Sequence, residues 1–538
     1  MLLDKSSLQF FKRLFGRLLL LALLQTCAAI SWAQPVTFTE SSVSRRADDG
    51  SIIKYPVTLD GISSQSDIVL VVIPSSVRLG SANGSVSEPS FLQTEPVHYP
   101  MTRSRAPLLA AGLAIAWVAV PKTAGLGNFS GNDPRFLSDL EDLFTSLKRQ
   151  FPKARLVTVT TDGAAAAGMG LAMRGSKHVD GQLVLSPFWP GIRDEKIQSA
   201  SAANALVIYD GSNQCYTASQ LETLDYLQRT GWKSIAVFPD KLSNIGFCGA
   251  GSSHMLTGIE NQLPAIVQDW LQKKPLPAVL GVAKSGVQER IVMAAGKQGK
   301  LEVTLLLPNT RAPHPLVIFN HGDMEIDSVW VKQRRRYVDV NVASTLLRQG
   351  YAVAIPARPG VGRSDGTYRY GQFAINDGDP SFKARTHAQA VMDAISALRN
   401  EPDLDLERFV LAGQSAGGDT VMYMSTMAID GLKGVINFAG GRSNHAAGQA
   451  PNFENKMMIS GWGEMGAQAK VPVQLVFAEN DSRYSANTIR KSFEAFSTGG
   501  GKAKLLLVPP LAGDGHYIHS QPAIWSKVVA DFLGDVLK

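Results

Sequence analysis

Cysteine is almost missing from this chain, with three residues in 538. That excludes a scaffold stapled by several disulfides, and no Cys/His pair stands at the spacing of a zinc site. Charge is sparse as well: Asp, Glu, Lys and Arg make up 18% of the residues. The one dense basic block is Arg334-Arg335-Arg336. It reads as a solvated helix face, and nothing else suggests nucleic acid as a partner. Long apolar runs are absent too. The stretch 18–24 falls far short of the ~20 residues that span a bilayer. No motif for a metal or an organic cofactor stands out. What remains is ordinary globular composition, 45% hydrophobic, in a chain long enough for two or more domains.

The short apolar stretch has a reading of its own. Lys5, Lys12, Arg13 and Arg17 precede it and Ser31-Trp32-Ala33 follows it, the pattern of a signal peptide cleaved after Ala33. The expectation is an exported protein, periplasmic or secreted, without a stable membrane span once residues 1–33 are gone. An uncleaved anchor is the competing reading. Loss of those four basic residues and Asp4 lowers the net charge from +7 to about +4. Cys27 leaves with the segment, and Cys215 and Cys248 stay. In an oxidising compartment they suggest one disulfide; two free buried thiols are the alternative.

The most informative stretch is Gly413-Gln414-Ser415-Ala416-Gly417. It follows the apolar run Phe409-Val410-Leu411-Ala412 and precedes a helix-like segment, 419–428. Strand, tight turn and helix around Gly-x-Ser-x-Gly predict a nucleophile elbow, where the serine takes a strained backbone conformation and only small neighbours fit. A serine hydroxyl needs a base to take its proton, and the base needs an acid to hold its tautomer. In this context the chain order is serine, acid, histidine. Asp481 follows the apolar strand 473–477, and His516 lies in the small-residue loop Gly513-Asp514-Gly515-His516-Tyr517. Glu479 competes with Asp481 for the acid, and His519 with His516 for the base. An oxyanion needs two donors. The N–H of Ala416 is the expected first, and the N–H of Asp323, after Asn320-His321-Gly322, the expected second, with the Asp323 carboxylate turned away. His321 reads as a structural residue of that turn.

The chain also repeats itself. The apolar strands 316–320 and 68–73, 351–356 and 114–121, and 473–477 and 205–208 fall in the same order in two halves of about 250 residues each. A helical pattern precedes each elbow-like turn, at 387–399 and 136–149. Short apolar strands alternating with amphipathic helices predict a parallel sheet covered on both faces. Any two α/β halves share some of this, but the shared Pro and Gly punctuation favours a tandem. The expected domains are 34–275 and 276–538, joined near Lys273-Lys274-Pro275-Leu276-Pro277. Matched by sequence, Ser415 falls on Thr161, the acid falls on Ser212 or Asn213, and the histidine falls on His254. Few of the required groups survive, so the first half reads as a worn, non-catalytic copy: a scaffold, a substrate-binding lobe or a partner for the second half.

The strand-turn Leu316 to Gly322, the run 359–366 (PGVGRSDG), the GQSAG pentapeptide, Asp481 after Ala-Glu-Asn and the Gly-Asp-Gly-His loop resemble the α/β-hydrolase superfamily over roughly 290–538. The flavour is similar to dienelactone hydrolase and prolyl-oligopeptidase-type catalytic domains. It departs from both: a serine stands where dienelactone hydrolases use cysteine, and the His-Gly-Gly-Pro run of prolyl peptidases is missing. Together with the internal repeat, the resemblance implies two tandem α/β domains, each a mostly parallel sheet flanked by helices. It also implies a serine hydrolase acting on a small-molecule acyl ester without cofactor or metal. A serine peptidase and a non-catalytic binding protein on the same fold are the rivals. The segment 441–469 reads as a cap insertion whose Phe453, Met457, Met458, Trp462 and Met465 either wall an apolar pocket or pack the cap. Asp323, Glu325 and Asp327 near the mouth would favour a cationic group.

Overall fold

The computed structural model describes residues 40–46, 52–62, 66–73, 100–118, 133–162, 164–187, 199–212, 219–238, 256–282, 286–332, 334–368, 382–441 and 454–538. Residues 1–33, Cys215, Cys248, Asn213, His254 and Phe453 lie outside them, so the signal-peptide, disulfide and second-histidine expectations have no structural account.

The described strands form two sheets. The first holds β1 (Glu40–Arg46), β2 (Ile52–Asp60), β3 (Ile68–Ile73), β4 (Ala114–Val118), β5 (Arg155–Asp162), β6 (Gly181–Pro187), β7 (Ala205–Asp210), β8 (Lys233–Phe238) and β9 (Val279–Gly281). Their order is β1-β2-β4-β3-β5-β6-β7-β8-β9. The second holds β10 (Gln288–Gly296), β11 (Gly299–Leu307), β12 (His314–Asn320), β13 (Ala352–Pro356), β14 (Leu404–Gln414), β15 (Leu432–Phe438), β16 (Val473–Ala478) and β17 (Ala503–Val508). Their order is β10-β11-β13-β12-β14-β15-β16-β17. Leaving β9 aside, the two orders are the same. In both, the second strand runs antiparallel to its neighbours and the rest run parallel. The join expected at 275/276 precedes β9, so the first sheet runs on to Gly281.

The central strands owe their form to composition. Every residue of β4, β13 and β16 is buried, as a parallel sheet with helices on both faces requires. Alternate residues then serve opposite faces. Val69 and Val71 of β3 join Phe136, Leu140, Leu143 and Phe144 of the helix Pro134–Gln150. Ile68 and Leu70 join Ile266, Val267 and Trp270 of the helix Leu263–Leu271 on the other side.

Pairing registers line the halves up residue by residue. Leu316 pairs with Ala352 and Phe409, as Val69 pairs with Ala114 and Leu156. Val410 pairs with Gly434, as Val157 pairs with Gly181. Two local features keep step. A Cβ on Gly434 would meet Phe532 at 2.9 Å, and one on Gly181 would meet Trp270 at 2.8 Å. Five residues further along the chain from each glycine, Ala439 (φ 49°) and Ser186 (φ 46°) are both left-handed. This register puts Asp162, not Thr161, level with Ser415, and corrects the match made by sequence. β5 and β14 share no residue pattern that marks register, and a slip of one residue goes unnoticed until faces and partners are known. Ser212 lies one residue short of the position level with Asp481, its hydroxyl donating to Asp210 Oδ1 at 2.6 Å.

The basic triplet is not a solvated face. Arg335 is buried and paired with Glu222 of the helix Gln220–Thr230 in the first half. Arg336 pairs with Glu302 at 3.3 Å. Ser219 Oγ and the Leu221 N–H donate to Glu289 of β10 at 2.7 and 3.1 Å. Burying a cation is costly unless a carboxylate meets it. Here those carboxylates lie 113 positions away for Arg335 and 34 for Arg336, beyond the reach of local reading. Among the described residues, no helix is long and apolar enough to cross a membrane, and no group of three His, Cys, Asp or Glu side chains is placed to hold a metal ion.

If the two helix-sheet contacts are equivalent, Gly434→Ala and Gly181→Ala each destabilise by about 1–3 kcal/mol through overpacking. Denaturant unfolding of the two variants checks this; a neutral change at either glycine would break the equivalence.

Candidate active site

Ser415 ends β14 and starts the helix Ala416–Met424 with φ 53° and ψ −120°. Such a backbone is costly for a residue with a Cβ and persists only when its surroundings force it. The neighbours do so by close approach. A Cβ on Gly413 would lie 2.3 Å from the Gly417 carbonyl oxygen, and one on Gly417 would lie 2.1 Å from that of Asn320. Gly418 has the same relation to Asn437 Oδ1, at 2.3 Å. Asn437 is buried, and its amide brackets Gly440 by accepting from its N–H at 2.8 Å and donating to its carbonyl at 2.9 Å. The Ser415 N–H donates to the Phe438 carbonyl at 3.0 Å and ties the turn to β15.

His516 comes to Ser415 from 101 residues downstream, its Nε2 standing 2.9 Å from the serine Oγ. Its Nδ1 lies 3.1 and 3.3 Å from the two oxygens of Asp481. A proton on Nδ1 satisfies the carboxylate and leaves Nε2 to accept from the hydroxyl. Asp481 is fully buried, and its Oδ1 also accepts from the N–H groups of Arg483 and Tyr484 at 2.8 and 3.3 Å. The two competitors sit elsewhere. Glu479 pairs with Arg490 at the surface, and His519 Nε2 lies 3.2 Å from Asp339.

The loop that delivers His516 is held by groups the sequence reading passed over. Asp514 Oδ1 accepts from the N–H groups of His516 and Ser482 at 2.9 and 3.0 Å, and its Oδ2 from the Ser482 hydroxyl at 2.6 Å. Partial burial pushes the Asp514 pKa up, but these hydrogen bonds outweigh it and leave the value below the ordinary 3.8. Asn480 donates to the carbonyls of Leu511 and Gly513 and accepts from the Leu511 N–H. The signal for Asp514 was present, since an Asp two residues before a backbone N–H in a Gly-rich loop is a turn-capping pattern. Asn480 had no such signal.

Across the site the turn 320–323 follows β12. Gly322 has no room for a side chain: a Cβ there would lie 2.2 Å from Gln414 Oε1 and 3.2 Å from Ser415 Cβ. The turn that carries Asp323 therefore lies against the serine. The Ala416 N–H is the first of a helix, where backbone donors and the dipole favour negative charge. Asp323 does turn its carboxylate to a partner, Arg358 Nη1 at 3.2 Å. Arg358 Nη2 donates to the His321 carbonyl as well, and the Arg358 N–H donates to His321 Nε2 at 3.2 Å. Burial, then the Arg358 charge, hold His321 well below its usual pKa, so the ring stays neutral with its Nδ1–H on the Gly322 carbonyl at 2.8 Å. Asp327 pairs with Lys332 at 2.9 Å. Two of the three acidic groups expected to draw a cationic substrate are thus met by cations of the chain itself.

Of the two readings of the apolar residues in 441–469, a pocket wall or packing, the described residues follow packing. Met458, Trp462 and Met465 lie on one face of the helix Lys456–Gln468 and are buried in the main core, Trp462 edge-on to Phe477 at 6.1 Å. They pack the fold rather than a pocket, because the helix closes on the helix Ala486–Thr498: a Cβ on Gly466 would meet the Phe496 carbonyl oxygen at 2.0 Å. Tyr484 bridges this region to the site, its hydroxyl donating to the Gly441 carbonyl at 2.7 Å. Burial, with the Asp481 charge next, raises its pKa well above the ordinary value and keeps that donor protonated. A cavity of about 440 Å³ opens beyond Arg358, between Tyr368, Leu301 and Ala390.

The C-terminal half has the α/β-hydrolase fold. Similarity to solved structures spans about half the chain. The Pyrococcus furiosus esterase Pf2001 is 16% identical with a TM-score of 0.35, over 47% of this chain and 93% of that one. A Pyrococcus horikoshii acylaminoacyl peptidase is 19% identical with a TM-score of 0.34, over 47% of this chain and 42% of that one. A putative dienelactone hydrolase from Klebsiella pneumoniae is 13% identical with a TM-score of 0.32, over 47% and 96%. No protein-family model matches the chain, and no curated protein does.

Gly417→Ala would drive a methyl into the Asn320 carbonyl, displace the elbow, and lower any Ser415-dependent rate by about 10²-fold, the scale of a 1 Å misplacement. Steady-state kinetics on folded protein checks it. Asp514→Ala removes the cap on the His516 segment and costs about 1 kcal/mol. Because the folded pKa of Asp514 is depressed, its contribution is present above pH 3.8 and fades as pH falls below it. Wild-type and variant unfolding midpoints should therefore differ at pH 6 and converge as the pH falls below 3.8.

Proposed function

We propose that this chain is an exported serine hydrolase cleaving an acyl ester of a small molecule. The observation that carries the reading is Ser415, left-handed at the end of a parallel strand with its Oγ 2.9 Å from His516 Nε2. Ser415 Oγ attacks the acyl carbonyl and passes its proton to His516 Nε2. Asp481 holds the His516 Nδ1–H and stabilises the imidazolium as it forms. The N–H groups of Ala416 and Asp323 receive the oxyanion. His516 returns the proton to the leaving alkoxide, and the acyl-enzyme is resolved by water activated at the same Nε2. Export is read from residues 1–33.

In this reading the first half arose by duplication and has lost its chemistry. The shared strand order and register support the duplication. Thr161 and Asp162 lie in the extended strand β5, which supports the loss of an elbow.

A fluorophosphonate added to the full chain should label Ser415 alone, located by mass spectrometry, and turnover of a short-chain aryl ester should vanish in Ser415→Ala. Asp481→Asn should lower kcat by about 10⁴-fold, because His516 then loses the partner that sets its tautomer. An adduct in the first half would overturn the worn-copy reading. No adduct and no turnover would favour a binding protein, and peptide turnover without ester turnover a peptidase.

A further inference from the structure

Residues 335–339 touch the first half at one end and the site at the other. Arg335, its side chain 5% exposed, pairs with Glu222 and lies 5.6 Å over the Tyr226 ring, both on the helix Gln220–Thr230. Two residues on, the Tyr337 ring stands 5.2 Å from the His321 ring and edge-on to Trp330 at 5.4 Å. His321 is the residue that Arg358 clamps, and the next residue, Gly322, lies against Ser415. Two residues further, Asp339 Oδ2 lies 3.2 Å from His519 Nε2, in the 3₁₀ segment Gly515–Ser520 that also carries His516. Asp339 Oδ1 caps the helix Val340–Arg348 through the Val342 N–H at 2.9 Å. Five consecutive residues thus connect the first half to both flanks of Ser415.

We propose that the first half is a positioning partner for the reaction: Glu222, through Arg335 and Tyr337, holds the turn 321–323 at the distance from Ser415 that the oxyanion requires. This rests on the hydrolase reading above and assigns the non-catalytic half a role as scaffold of the site. Glu222, Arg335 and Tyr337 touch no reacting atom. They act through His321. Removing one partner of a buried pair leaves an uncompensated charge, which forces the segment to shift. The 5.2 Å ring contact at Tyr337 passes that shift to the turn.

The test uses the full chain, with sites titrated by a fluorophosphonate and kinetics on a short-chain aryl ester. Glu222→Gln and Tyr337→Leu should each lower kcat per titrated site about ten-fold with KM changed less than about two-fold, the mark of an interaction made in the transition state. Glu222→Gln combined with Arg335→Met should cost no more than the worse single change, since both break one pair. An interface that only stabilises the fold would lower the thermal midpoint and the titratable fraction, leaving kcat per site unchanged. That result in both Glu222→Gln and Tyr337→Leu overturns the proposal, and Tyr337→Leu decides it alone where Glu222→Gln does not fold. A wild-type chain that neither labels nor turns over ester overturns the hydrolase reading instead, and this proposal with it.

Discussion

One strained residue organises the C-terminal half. A left-handed backbone at a residue with a Cβ costs on the order of 1–3 kcal/mol, and Ser415 bears it at φ 53°. The strain is useful because it lifts Oγ off the end of β14 and frees the Ala416 N–H at the start of a helix. It is sustained by contact. The backbones of 413, 417 and 418 press on one another, on the Asn320 carbonyl and on Asn437. β12, β14 and β15 must therefore lie side by side before the turn can form, and the sheet order does that. The elbow is thus less a local motif than a demand on three strands and the turn after β12.

The second theme is charge kept in place by partners far along the chain. Arg358 joins the turn after β13 to the turn after β12 through Asp323 and the His321 carbonyl. Arg335 and Arg336 are met by Glu222 and Glu302. Such pairs contribute little net stability, since desolvation offsets most of the attraction. What they do is fix geometry, because a buried guanidinium without its carboxylate is too costly to tolerate. Arg358 sits on the turn that flanks Ser415, and the inter-half pair of Arg335 with Glu222 lies two residues from Tyr337, which touches that turn.

Legibility differed by residue. Ser415, Asp481 and His516 could be read because each follows an apolar strand and they fall in one order along the chain. The glycines of the elbow could be read because small residues around a nucleophile have a steric reason. Arg335 could not, since a basic block carries no sign of a carboxylate 113 residues away. Nor could the register between halves. β5 alternates valine with threonine while β14 is a continuous apolar run from Phe409, so the two patterns share no mark that sets one against the other. Trp462 and Met465 were legible as apolar, but a pocket wall and a packed face looked alike, because only the neighbouring helix decides which face closes.

The sequence by itself determined two runs of parallel strands and helices, the elbow, and the identity and order of three chemical groups. These follow from periodicity, local sterics and connectivity, which are properties of neighbours along the chain. Only the tertiary structure decided that His516 meets Asp481 and not Glu479, and that Asp162 rather than Thr161 is level with Ser415. It also decided that Arg335 of the arginine triplet pairs with the first half. Each of these turns on distances between residues far apart in sequence, set by sheet register and by the need of every buried charge for a partner.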